Sequence, residues 1–122
     1  VAIPTKHHQS FPLKCRLSHS FEFDAVFEQT EGRLSSNSLL LLAKQNHLGF
    51  NRLGMIISKK SIPKSVQRTQ VKRRIRETFR KTLSEPMLGW DIVVMTRPKI
   101  TSQPDLTAYL QDSFTTLAKT LR

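Results

Sequence analysis

The sequence predicts an α+β domain: a two-layer sandwich with elements in the order α-β-β-α-β-α around a central, mostly antiparallel sheet. Three observations predict it. Ser38 to Lys44 (SLLLLAK), Arg52 to Ser58 (RLGMIIS) and Trp90 to Thr96 (WDIVVMT) are apolar runs of strand length. Near the end of the chain Leu106, Leu110, Phe114, Leu117 and Leu121 are spaced by four, four, three and four, the period of a helix with one buried face. Between the second and third apolar runs lies a strongly basic helical segment, which makes a strand–helix–strand unit.

Taken in order, residues 1–13 show no periodicity and are expected to form a flexible or extended arm of a single domain spanning 1–122. A first helix is expected over roughly Ser20 to Thr30, with Phe23, Val26 and Phe27 on one face and Glu22 and Asp24 suited to the dipole of its first turn. Gly32 and the Ser35–Ser36–Asn37 cluster punctuate its end. The first two strands, joined by Gln45 to Asn51 with Gly49 inside, read most simply as an antiparallel hairpin with a longer loop. Ser61-Ile62-Pro63 stops the second strand and starts the basic helix, since proline is tolerated at a helix start and not inside one. Pro86 and Gly89 close that region, Pro98 through Pro104 connects the third strand onward, and Asp105 to Leu121 forms the last helix. If the strands flanking the basic helix are parallel neighbours, a right-handed crossover is the default.

At 122 residues and 14.0 kDa the chain has room for one core. Its net charge of +11 favours phosphate-bearing partners over small acidic molecules. The longest apolar run, Leu39 to Ala43, is far shorter than a membrane span, so no membrane partner is expected. The N-terminal segment lacks the apolar stretch of a signal peptide, which points to the cytoplasm. Cys15 stands alone and reads as a packing residue. His7, His8, His19 and His47 lack metal-ligand spacing and read as exposed or loop residues.

Half of the twenty Lys and Arg residues fall between Lys59 and Lys81, against one acid, Glu77. On a helix, Val71, Ile75, Thr78, Phe79 and Thr82 share one side, while Lys72, Arg73, Arg76 and Arg80 share another with Thr69. A solvated helix face ordinarily mixes signs. This face repels itself unless a polyanion lies across it, and nucleic acid is the polyanion it fits.

Read as one block, RLGMIISKKSIPKSVQRTQVKRRIRETFR (52–80) resembles the protein subunit of bacterial ribonuclease P. That family carries an Arg-x-Gly strand ending in Lys-Lys, matched here by Arg52, Gly54, Lys59 and Lys60. It continues with a basic helix matched by Val71, Lys72, Arg73, Ile75, Arg76, Glu77 and Phe79. The likeness extends more weakly to Leu17, Phe23 and Phe27, to WDIVVMTRP, and to the closing helix. The family's Arg-Asn-Arg signature appears as Arg68-Thr69-Gln70, so its second charge is replaced by a neutral amide, which roughly halves the strength of a phosphate contact. Either neighbouring Lys72, Arg73 and Arg74 carry the electrostatics, or the RNA partner differs locally.

The resemblance implies a ribonucleoprotein endonuclease that removes the 5′ leader of precursor tRNA. Its catalytic RNA performs the chemistry with Mg²⁺, and there is no small-molecule substrate. The protein has no catalytic residues on this view; it screens two polyanions from each other and holds the leader. The resemblance also implies a left-handed crossover. It divides the candidate residues into two surfaces. Lys64, Arg68, Thr69, Gln70, Lys72, Arg73, Arg76 and Arg80 are assigned to the catalytic RNA, with Arg68 awkwardly near the apolar stripe. A cleft between the first helix and the sheet is assigned to the single-stranded leader. There Phe23 and Phe27 offer aromatic faces to bases, and Lys59, Lys60, Arg97, Lys14 and Arg16 track phosphates. Ordinary core packing is the competing reading of the two phenylalanines. A protein-only nuclease needs clustered carboxylates, and Asp24, Glu28 and Glu31 read instead as a solvated helix face. A ribosomal-type or RNA-chaperone protein is the stronger rival. A helix-turn-helix fits poorly, since the basic helix is reached from a strand.

Overall fold

The structure is a computed structural model that describes residues 13–83 and 89–121. A short 3₁₀ turn (Leu13–Cys15) precedes α1 (Ser20–Glu28), β1 (Gly32–Ser35), β2 (Leu39–Gln45), β3 (Arg52–Ile56), α2 (Ser65–Thr82), β4 (Trp90–Thr96), a second 3₁₀ turn (Pro98–Ser102) and α3 (Leu106–Leu121). The α+β class and the mostly antiparallel sheet hold. The expected arm at 1–13 and the stop at Pro86 fall, Leu13 apart, outside the described residues.

The four strands lie in the order β1-β2-β4-β3. The expected hairpin between the 38–44 and 52–58 runs does not form, because β4 is inserted between them. It pairs antiparallel with β2 and parallel with β3, with Val93 opposite both Leu42 and Gly54. The physical reason is burial. Ile92, Val93 and Val94 are fully enclosed, so β4 needs cover on both faces and a partner on both edges, and it takes the centre. The loop after β2 instead wraps past the start of β4. The Asn46 N–H donates to the Gly89 carbonyl at 2.8 Å, and positive φ at His47, Gly49 and Gly89 makes the bends.

A strand absent from the sequence reading, β1, forms where Gly32 to Ser35 was read as punctuation. It pairs with β2 from Gly32↔Ala43 to Ser35↔Leu40. A Cβ at Gly32 would meet the end of the Leu121 side chain of α3, so the glycine lets that helix end close on β1.

Each sheet face carries its own core. On one, Leu39, Leu41, Ala43, Leu53, Ile92 and Val94 pack under Val71, Ile75 and Phe79 of α2 and Leu110, Phe114 and Leu117 of α3. The Phe79 and Phe114 rings meet edge to face at 6.1 Å. These two helices make a complete layer. On the other face the shorter α1 lays Val26 over Leu42 and Val93, with Leu17 beside it.

Gly54 sits under α1 at that second core. A Cβ there would stand 2.6 Å from Phe23 Cε1 and 3.0 Å from Leu17 Cβ, so the glycine of the Arg-x-Gly motif makes room for the Phe23 ring. Gly54→Ala is therefore expected to destabilise the domain by about 1–3 kcal/mol, the usual cost of overpacking. Adding Phe23→Leu should recover part of the loss in urea melts, and an unshifted melt for the single variant would show that Phe23 swings away freely.

Candidate nucleic-acid interface

The basic helix begins without a side-chain cap at Lys64 and without an acid in its first turn. Its start is held by other means. Ile62 is fully buried, and Ser61 is bound to Ser58 and to Thr96 Oγ1 at 2.9 Å. Arg68 folds back so that Nη1 donates to the Ile62 carbonyl at 2.9 Å and the Pro63 carbonyl at 2.7 Å. Arg68 thus stabilises the first turn from the apolar side, where the helical period put it, and it is not arrayed with the other cations.

Val71, Ile75, Thr78 and Phe79 are buried, which turns one flank of α2 outward past β3 and the other toward α3. Lys72, Arg73, Arg76 and Arg80 lie on the first flank with Thr69, whose hydroxyl donates to the Ser65 carbonyl. Arg76 is half-buried. Burial first, then the charges of Arg16 and Arg73, holds its guanidinium pKa below the ordinary value. Gln70 is on the other flank. With Gln67, Val71 and Arg74 it lines a shallow groove closed by Ile100, Thr101, Gln103, Pro104 and Leu106. Arg74 is bound there to Thr107 Oγ1 at 2.9 Å.

The opposite sheet face carries the cleft, and strand register describes its floor in rows. One row is Lys44–Asp91–Arg52, the next Leu42–Val93–Gly54, and the third Leu40–Met95–Ile56, extended by Ser35 of β1. α1 covers the middle row. Its Glu22 side reaches the first row, so the flank bearing Phe23 and Phe27 faces the third. Leu40, Met95 and Ile56 are only half-buried. Phe23 packs on Gly54, whereas Phe27 keeps 41% of its surface exposed, so Val26 and not Phe27 is the core residue of α1.

Cations bound the open end of this floor. Arg97 follows β4 and donates from Nη1 to Ser35 Oγ at 3.0 Å and to the Ser36 carbonyl. Lys59 and Lys60 are exposed on the turn after β3, which the Ser61–Thr96 hydrogen bond holds beside the end of β4. The structure does not bring Lys14 and Arg16 to this end. Lys14 Nζ sits 5.1 Å above the Phe50 ring, before β3 begins, and Arg16 stands opposite Leu53 at the sheet edge, on the side of α2. Arg33, exposed on β1 beside Leu42, is a cation of the cleft face that the sequence reading missed. Recognising Gly32 to Ser35 as a strand was the signal that would have found it.

A partly buried ion network fixes α1 in place. Arg52 Nε and Nη2 donate to the two Asp91 oxygens at 2.8 and 2.7 Å, and Nη1 donates to Glu22 Oε2 at 2.8 Å. Asn46 Nδ2 adds a bond to Asp91 Oδ1 at 2.8 Å. Burial pushes the Glu22 carboxyl up, but the backbone N–H groups of His19 and Ser18 and the charge of Arg52 together outweigh it, and its pKa falls below the ordinary value.

The described carboxylates of α1 and the sheet have other commitments. Glu22 and Asp91 are committed to Arg52, Glu31 Oε1 accepts from the Gln45 N–H, and Asp24 and Glu28 are exposed on α1. Among the described residues no three His, Cys, Asp or Glu side chains come together. No described helix is long and apolar enough to cross a membrane.

A sequence model of the Ribonuclease P family matches residues 11–122. The chain belongs to that family. It is 44% identical over 89 residues to the ribonuclease P protein component of Stutzerimonas stutzeri, spanning 73% of this chain and 67% of that one. Against the same component from Pseudomonas savastanoi pv. phaseolicola, identity is 37% over 113 residues, 91% of this chain and 84% of the relative. The fold is shared too. The ribonuclease P protein of Staphylococcus aureus superposes with a TM-score of 0.73 at 25% identity, covering 88% of this chain and 95% of that one. The Thermotoga maritima ribonuclease P protein gives 0.72 at 26% identity, over 85% and 96%.

Within this family fold the ion network makes a pH-dependent contribution with a definite sign. The folded-state pKa of Glu22 is depressed, so its stabilisation is present above the unfolded value, near 4.5, and is lost as pH falls through the folded one. Glu22→Gln should therefore destabilise most at neutral pH, and the gap from wild type should close as the pH is lowered below 4.5. A gap that stays constant in melts from pH 7 to pH 3 would show that Glu22 acts through packing alone.

Proposed function

We propose that the chain is the protein component of a ribonucleoprotein endonuclease, ribonuclease P, and that it binds a catalytic RNA and the 5′ leader of precursor tRNA. The observation that carries this reading is the family match over residues 11–122, set on a domain with two cationic surfaces on opposite faces of one sheet. Lys72, Arg73, Arg76 and Arg80 on the outward flank of α2 take the catalytic RNA, with Lys64 and Thr69 at the near end. Arg68 acts by holding the start of the helix, and Gln70 lies off the main contact. The cleft takes the leader as an unpaired strand. Phe27 stacks on a base, Leu40, Met95 and Ile56 provide the apolar floor, and Arg97, Lys59 and Lys60 meet phosphates.

On this reading the phosphodiester chemistry and its Mg²⁺ belong to the RNA partner. The protein's part is electrostatic and positional. It neutralises phosphates of two polyanions that must lie side by side, and it adds contacts present only when the substrate carries a leader. A ribosomal-type or RNA-chaperone protein would share the first property and lack the second.

The deciding experiment mixes the purified protein with a bacterial ribonuclease P RNA at a Mg²⁺ concentration where that RNA alone is inactive. Precursor tRNA cleavage at the mature 5′ end is expected to return on adding protein, and protein alone should cleave nothing. Unrestored cleavage would point to the rival RNA-binding class.

Phe27→Leu tests the cleft. Because Phe27 is exposed, the change should cost less than about 1.5 kcal/mol of stability. Affinity of the reconstituted enzyme for substrate with a leader should fall by on the order of 1 kcal/mol, about fivefold, while affinity for mature tRNA stays the same. Equal losses for both ligands in paired titrations would remove Phe27 from the leader site.

A further inference from the structure

At the outer edge of β3, guanidinium groups from two distant parts of the chain converge. Arg16 stands opposite Leu53 in a parallel bridge, and the Leu17 N–H donates to the Leu53 carbonyl at 2.9 Å. The segment therefore runs along the edge that β4 leaves open on β3. Successive side chains of an extended segment point to opposite faces. Leu17 turns into the core beneath α1, which sends Arg16 to the side of α2. There it meets the flank carrying Arg73 and Arg76, one turn apart on the helix.

Arg76 is the half-buried member, and its Nε is enclosed by protein without a hydrogen-bond partner. Neither Arg73 nor Arg76 forms an ion pair with a described carboxylate, since both ion pairs among the described residues are made by Arg52. Like charges at this spacing repel. The arrangement is one that a tetrahedral oxyanion resolves. Its several oxygens accept from more than one guanidinium fork, and a phosphate diester is the form in which an RNA presents it.

We propose that Arg16, Arg73 and Arg76 seat one backbone phosphate of the catalytic RNA, where the segment leading into α1 passes beside α2. The inference rests on the catalytic-RNA reading of α2 and extends it. Arg16 joins the RNA surface instead of the leader cleft, and the N-terminal segment becomes part of the holoenzyme interface.

A double-mutant cycle on the full chain tests it, using Arg16→Met and Arg76→Met, which keep much of each aliphatic stem, with Arg16→Lys and Arg76→Lys as charge-keeping companions. Binding to a bacterial ribonuclease P RNA is measured at fixed salt. Each Met variant should weaken binding about tenfold, and the pair should be far short of the hundredfold that independent contacts give, because both act through one phosphate. The Lys variants, which keep charge but lose the fork, should fall between. Losses that multiply to about a hundredfold would assign Arg16 and Arg76 to separate phosphates and overturn the shared seat. Arg16→Met with unchanged affinity for the RNA but weaker binding of leader-bearing substrate would return Arg16 to the cleft. Wild-type protein that fails to bind the RNA would remove the ribonucleoprotein reading itself, and this inference with it.

Discussion

The Arg52 guanidinium is the constraint on which the arrangement of surfaces depends. β3 and β4 are parallel neighbours separated in sequence by the whole of α2, and α1 reaches the sheet from further upstream. One planar fork joins all three, through both oxygens of Asp91 and one of Glu22. A partly buried ion network of this kind is weak evidence of net stability, because desolvation consumes much of the attraction. What it does supply is position. A slip of one residue between β3 and β4 would set Arg52 against Trp90 or Ile92 and leave Asp91 enclosed without its cation. The network also fixes which end of the sheet α1 covers. With Glu22 drawn to the Asp91 row, the Leu40–Met95–Ile56 row stays open, and the cleft follows from that choice.

The same network shapes the electrostatics of the whole domain. There are nine acids against twenty Lys and Arg, and two of those acids are spent inward on one arginine. The remaining positive charge is distributed by the fold onto separate places. The flank of α2 that overhangs β3 collects Lys72, Arg73, Arg76 and Arg80, while Arg97, Lys59 and Lys60 gather at the open end of the cleft on the other face. The sheet stands between these two groups of cations, so they meet solvent on different faces.

Much of this was legible in the sequence, and the failures share a cause. β4 is found at its predicted bounds, α3 lies within its predicted segment, and α2 is shifted by one residue from the expected Lys64 to Lys81, because each declares itself by local periodicity or by an unbroken apolar run. The hairpin between β2 and β3 was the natural reading of two neighbouring apolar runs, yet pairing is decided by which strand most needs burial on both faces, a comparison across the whole chain. β1 has four residues, with Arg33 and Ser35 exposed and Leu34 half-buried, so it lacks a pattern strong enough to separate it from a turn. The site behaves likewise. Helical period is enough to sort the cations of α2 from its buried stripe, whereas the places of Lys14 over Phe50 and of Arg16 against Leu53 are set by contacts distant in sequence.

The family's Arg-Asn-Arg signature shows how structure changes the weight of a sequence difference. Read along the chain, Arg68-Thr69-Gln70 has lost one of two charges on the basic helix. In the fold the three positions do three different things. Arg68 is turned to the carbonyls of Ile62 and Pro63, Thr69 lies on the cationic flank with its hydroxyl returned to Ser65, and Gln70 faces the groove toward Ile100 and Leu106. An arginine at position 70 would stand beside Arg74, which is bound to Thr107, and away from Arg73 and Arg76. The charge missing from the triplet is therefore missing from the α3 side of the helix, not from the flank that overhangs β3. That favours the reading in which neighbouring cations carry the electrostatics. Arg68 also supplies what the start of α2 otherwise lacks, since the helix has neither an N-cap side chain nor an acid in its first turn.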